Sequence, residues 1–207
     1  MSIEFWCPLR LESVAARRGA RTAGVVRTGM GPRRSAAFAA GGHRVARHRG
    51  AVVLGLGGAL GGGPMPGDVV VADEVRGPGA PRPVRVREAA AIESLIRDAG
   101  PEVLRGPVVS VARPARGETR RTLSGTGALV ADMESWWLLA ADPAPLAVVR
   151  VVSDTPSAEL ASLSLPWRVR RALAVISRIA AALDSWETPV GPDIRRGLET
   201  TAPGGGS

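Results

Sequence analysis

A chain of 207 residues and 21.4 kDa is long enough for one substantial hydrophobic core and short for two. Apolar residues make up 45% and charged residues 22%, the balance of a folded domain and not of a disordered segment. The formal charge of +8 rests on arginine, with no lysine in the chain. It is concentrated in the first 50 residues, where ten arginines face only Glu4 and Glu12.

In chain order, IEFWCPL (Ile3–Leu9) reads as a short buried strand and RLESVAARRG as the helix after it, stopped at Gly19. TAGVVRTGMG (Thr22–Gly31) is a strand entering a glycine turn, and PRRSAAFAAGG opens with proline where a first helical turn accepts it. GAVVLGLGGALGGG (Gly50–Gly63) is predicted as a strand with a flexible glycine loop, and GDVVVADEV (Gly67–Val75) as a further strand. Its unbroken apolar run suits a sheet covered on both faces. VREAAAIESLIRDAG is an amphipathic helix ending at Gly100, and GPVVSVARP a strand. GTGALVADMESWWLLAAD is predicted helical after its first residues. PLAVVRVVSDTP (Pro145–Pro156) is the clearest buried strand, and LPWRVRRALAVISRIAAALDSW a long final helix. Alternation of strands and helices implies one α/β domain over residues 1–186. Residues 187–207 form a Pro- and Gly-rich tail whose end is expected to be disordered.

The basic first quarter could attract an anionic partner. Tyrosine is absent, however, and RRGAR and HRVARHR are short and broken, so no nucleic-acid partner is expected. A single cysteine, Cys7, excludes an intramolecular disulfide and a cysteine-rich zinc site, and reads as a buried thiol. His43 and His48 carry no metal spacing and read as surface residues, so no metal or other cofactor is expected. No apolar run reaches the ~18 residues of a membrane span, and no signal pattern opens the chain. A cytoplasmic protein without an integral membrane segment is the expectation.

The glycines of GMG (Gly29, Gly31) and of the run from Gly55 to Gly63 can bring backbone N–H groups close to an anion. They serve equally as tight turns, and neither run matches a dinucleotide or Walker fingerprint. Arg33 and Arg34 follow the first turn, where a phosphate could meet them or where solvent could. Arg150 interrupts a buried strand, so it should be paired or face a pocket; Asp154, Glu134 or a ligand anion could answer it. Asp154 ends that strand behind Ser153, placed either to face a ligand or to cap the next turn. Asp132 and Glu134, two apart on the expected helix, do not share a face. A buried Glu134 could accept two sugar hydroxyls, with Met133 as a soft wall beside it. Trp136 and Trp137 read as core or subunit-contact residues.

TGALVADMESWWLLA followed by PLAVVRVVSDTP resembles the nucleoside phosphorylase and nucleosidase superfamily, through Met133-Glu134 and, about twenty residues on, Ser153-Asp154. TGMGPRRSAAFAA and GDVVVAD are similar to its glycine turn and Gly-Asp strand, over roughly Ile3 to Leu183. The opening CPLRLESVAARR is similar to the bacterial branch of hopanoid-associated phosphorylases. The resemblance implies a mixed central sheet flanked by helices and a homodimer. It further implies that Glu134 and Met133 hold the ribose, that Asp154 hydrogen-bonds or protonates purine N7, and that Glu12 activates water in the nucleosidases. Gly29, Gly31, Arg33, Gly55 and Arg150 would bear on phosphate or its loop. Leu54 stands where the family carries Ser or Thr, and no arginine flanks that loop unless Arg49 or Arg150 substitutes. The function implied is cleavage of the N-glycosidic bond of an adenine nucleoside by phosphorolysis, with inorganic phosphate as co-substrate. The substrate could be a plain adenine nucleoside or a 5′-substituted adenosine, and a large apolar 5′ group, as in an adenosyl-linked hopane, is compatible with the chain. The alternatives are hydrolysis with Glu12-activated water and nucleoside binding without turnover.

Overall fold

The computed structural model describes residues 2–41, 49–141, 145–156 and 165–186, with the backbone alone described at residues 2, 49 and 165. His43, His48, the Arg49 side chain and the tail expected at 187–207 lie outside the described residues. Among the described residues eight strands run β1 Ser2–Cys7, β2 Gly24–Arg27, β3 Arg49–Ala59, β4 Val69–Arg76, β5 Val84–Arg85, β6 Val103–Ser110, β7 Val130–Asp132 and β8 Ala147–Asp154. Six helices among them run α1 Arg10–Gly19, α2 Pro32–Ala40, α3 Ala89–Asp98, α4 Gly117–Ser124, α5 Ser135–Leu138 and α6 Leu165–Leu183.

These strands make one mixed sheet that closes on itself. β3 pairs β8 in parallel, β8 pairs β4 antiparallel, β4 pairs β6 and β6 pairs β7 in parallel, and β7 returns antiparallel to β3. β3 can hold three partners because it is eleven residues long. Its beginning, Arg49 to Val53, pairs with β1, while its end, Gly58 and Ala59, pairs with β7. Every residue of β8 is buried, which is why its sequence is apolar on both faces, apart from Arg150 and the closing Ser153 and Asp154, rather than alternating. Helices cover the outside. α3 buries Ala89, Ile92 and Ile96, the three-and-four spacing of a helix with one apolar face. α1 and α6 approach so closely that a Cβ on Gly19 would lie 1.9 Å from the Ser177 carbonyl oxygen. The α/β class with a mixed sheet and flanking helices is as expected from the sequence.

Two stretches differ from their expected form. GALVADMESWWLLA is not one helix: Val130–Asp132 is β7, and only Ser135–Leu138 is helical. Pairing with both β3 and β6 overrides local helix preference. The Asp132 carboxylate then accepts from the Glu134 and Ser135 N–H groups and turns the chain into α5. Gly55, Gly57 and Gly58, expected in a loop, lie within β3. Here glycine makes room instead of turning the chain, since a Cβ on Gly57 would meet Val130 at 2.4 Å. α4 and β5 were not anticipated, being a polar helix and a two-residue strand.

Candidate active site

The strand ends, the start of α1 and the α5 turn surround a cleft of about 390 Å³. Glu12 enters it from the first turn of α1. Its Oε2 accepts from the Leu9 N–H at 2.6 Å and its Oε1 from the Leu56 N–H at 2.8 Å, so helix and strand β3 both fix it. Only 2% of the residue is exposed. Burial pushes its pKa up to about 7, against the lowering by those N–H groups and by Arg150, while Glu134 adds to the rise. A carboxyl in that range can take a proton near neutral pH.

Glu134 sits where β7 becomes α5. Its Oε1 accepts from the Gly31 N–H at 2.9 Å, and its Oε2 accepts from the Met133 N–H at 3.3 Å and lies 3.9 Å from Arg150 Nη2. Burial raises its pKa above the usual carboxylate range, opposed chiefly by Arg150. Gly31 reaches this position through a left-handed backbone, φ 85°, that glycine adopts without strain.

Arg150 lies in the middle of β8 and is fully buried. Its Nε donates to Asp132 Oδ2 at 2.7 Å and its Nη2 to Ser135 Oγ at 2.8 Å. Its Nη1 is without a partner. A Cβ on Gly55 would stand 2.5 Å from that Nη1 and 2.9 Å from Glu12 Oε1, so glycine is what lets the two approach one another over β3. Asp132 is held further by the hydroxyls of Ser110 and Ser135. It is thus a buried anchor for Arg150 and the α5 turn.

The other wall is built by an irregularity. Between Gly57 and Gly58 the β3–β8 register shifts, so that Gly57 pairs Val152 and Gly58 pairs Asp154. The extra residue, Ser153, donates to the Gly57 carbonyl at 3.3 Å and to Asp154 Oδ1 at 2.8 Å. Such a bulge re-aims the side chains beside it, and Ser153 and Asp154 both line the cleft. Asp154 Oδ2 is in contact with Arg120 Nη2 from α4.

The model of the phosphorylase superfamily matches residues 13–183. The chain belongs to that superfamily. Solved members share its fold at low identity. The 5′-methylthioadenosine/S-adenosylhomocysteine nucleosidase of Neisseria meningitidis, in complex with methylthio-immucillin-A, is 18% identical with a TM-score of 0.71, over 89% of this chain and 99% of that one. The futalosine hydrolase of Helicobacter pylori is 13% identical with a TM-score of 0.71, over 87% and 96%. A methylthioadenosine nucleosidase named as putative from Weissella paramesenteroides is 20% identical with a TM-score of 0.67, over 88% and 97%. No curated protein sequence matches the chain.

In this superfamily member the structure brings Glu12, Met133, Glu134 and Asp154 to one cleft, with Gly31 bound to Glu134 and Gly55 beneath Glu12. It does not bring in the arginines expected at phosphate. Arg33 is exposed on α2 and is not among the residues lining the cleft. Arg150 is sealed beneath and committed to Asp132, because an unpaired charge in that strand would be costly. Gly29 shapes the turn, its φ of 94° open only to glycine at low strain, and packs on Arg34. Cys7 is buried, and burial pushes its thiol up, far from a nucleophilic thiolate. Arg120 was missed. No element is expected over GETRRTL from the sequence, and the one available signal is that Arg120 stands three residues before Leu123, on the same face of a helix.

Proposed function

We propose that this protein hydrolyses the N-glycosidic bond of an adenine nucleoside carrying an apolar 5′ substituent. Cleavage of that bond builds positive charge at C1′ and negative charge on the base, so it needs a nucleophile on one side and stabilisation of the base on the other. The observation that carries the hydrolytic reading is Glu12: buried, held through both oxygens, and titrating near neutrality beside the unpartnered Nη1 of Arg150. A water donating to Glu12 would be oriented and deprotonated in one step. In this reading Glu134 holds the ribose hydroxyls, Met133 packs on the sugar face and Asp154 meets the base.

Hydrolysis is preferred to the phosphorolysis expected from the sequence. Among the described residues lining the cleft Arg120 is the one arginine, and it is paired with Asp154. The names of the solved relatives, nucleosidases and a hydrolase, support the same choice. At the mouth, Leu9, Leu11, Met30 and Val169 line the cleft, and Leu11 and Met30 are 57% and 53% exposed. This apolar rim supports an apolar 5′ group, from methylthio as the small case to an adenosyl-linked hopane as the large one. The same exposed side chains are available to a second copy of the chain in a homodimer.

Adenine release from adenosine and 5′-methylthioadenosine, followed with and without inorganic phosphate, tests the reading. Release is expected at the same rate in both conditions, and Glu12→Gln should lower it by about 10²–10⁴-fold, the usual contribution of a general base. Strict dependence on phosphate would return the protein to the phosphorylases. Tight binding without release would make it a nucleoside-binding relative.

A further inference from the structure

Arg120 is a buried charge at the cleft that the reaction above leaves without a task. Only 5% of it is exposed. Its Nε donates to the Ala115 carbonyl at 3.2 Å, its Nη2 meets Asp154, and its Nη1 has no partner. Gly58 makes the arrangement possible: a Cβ there would lie 2.8 Å from Arg120 Nη2 and 3.2 Å from Asp154 Oδ2. Asp154 therefore already accepts two hydrogen bonds, from Arg120 and from Ser153. Beside that acceptor stands an unspent buried donor, which native proteins seldom leave without a partner.

An acceptor and a donor side by side are the complement of one base edge. Adenine presents the N7 acceptor next to the 6-amino donor, whereas a 6-oxopurine presents two acceptors, N7 and O6. Resting on the hydrolytic reading, we propose that Arg120 is a catalytic residue that donates through Nη1 to adenine N7 while Asp154 accepts from the 6-amino group. In the step, the C1′–N9 bond breaks and its electron pair stays with the base. Water oxygen forms the new bond to C1′, and its proton passes to Glu12. The adenine anion is held by the Arg120 cation and takes up one proton from solvent as Glu12 returns its own, so nucleoside and water give the 5′-substituted ribose and neutral adenine. Asp154 thus selects the base, and the guanidinium carries the leaving-group charge.

The experiment compares two leaving groups in the full-length protein. One is adenine, from 5′-methylthioadenosine; the other is p-nitrophenolate, from p-nitrophenyl β-D-ribofuranoside, which has no N7 and departs without help. In Arg120→Met the loss on the adenine nucleoside should exceed the loss on the p-nitrophenyl riboside by about 10²–10³-fold, as for removal of one preorganised donor. Arg120→Lys, which keeps a cation next to Asp154, should show the same leaving-group dependence in smaller measure and guards against misfolding of the Met variant. Wild-type enzyme should also prefer adenosine to inosine at least tenfold. Equal losses on both leaving groups would reduce Arg120 to a support for Asp154, and equal turnover of inosine would overturn the edge assignment. A wild-type protein that releases neither adenine nor p-nitrophenolate would overturn the hydrolase reading itself, and this one with it.

Discussion

Glu12 serves two ends that oppose each other. It ties the start of α1 to β3 through the Leu9 and Leu56 N–H groups, yet its burial disfavours the charged form that a base requires. Folded, it titrates at about 7, against 4.5 for a freely solvated glutamate. Between those pH values the folded chain binds more protons than the unfolded one, so stability falls as pH rises from 4.5 to 7. Under the proposed hydrolysis activity runs the other way, because a base acts only when ionised. We expect kcat/KM to climb with pH through about 7 and then level, a limb that Glu12→Gln removes. The same variant should gain stability over wild type in moving from pH 5 to pH 8, measured by urea midpoints at each pH. A constant gap would mean that Glu12 titrates in the ordinary carboxylate range.

At the scale of elements, the cleft depends on helices held at short range by residues without side chains. α1 carries Glu12, and its position is set by contact with α6 at Gly19 and Ser177. Gly19→Ala places a methyl group 1.9 Å from a backbone oxygen that cannot rotate away. It should cost about 1–3 kcal/mol, as overpacking does, and displace α1. The measurable consequence is a lowered Tm together with lowered activity. Gly62→Ala meets nothing within 4 Å and serves as the control. The β8 bulge works in a comparable way: one unpaired residue, Ser153, delivers Asp154 to the cleft without any change in the strand's apolar sequence.

For the whole molecule, the order of elements was legible because each long element declares itself. β4 and β8 are each built on an apolar valine-rich stretch, and α3 and α6 keep a helical period. Glu12, Glu134 and Asp154 were found through family motifs, and the structure gathers them in one cleft. What escaped was whatever depends on distant partners. β7 is three residues long, and its strand character comes from Gly58 and Ala59, some seventy residues earlier. Arg120 is buried because Asp154, 34 residues later, meets it. Arg150 looked equally fit for a ligand or a partner until Asp132 proved to be the partner. Such pairings bring together segments far apart in sequence, which slows folding. Refolding from urea should therefore occupy milliseconds to seconds or longer, and dilution should raise its yield. Submillisecond recovery, independent of concentration, would contradict this.

The closed ring of strands has a further consequence. Among the described residues the only strands with a partner on one side alone are β2, of four residues, and β5, of two. A native molecule thus offers almost no length of open backbone onto which another chain could add a strand. Until β7 joins β3, however, the long β3 and β6 both present such backbone. The two residue pairs that complete the ring also shut the protein against its own aggregation, and a substitution that delays them endangers solubility before it affects the folded protein.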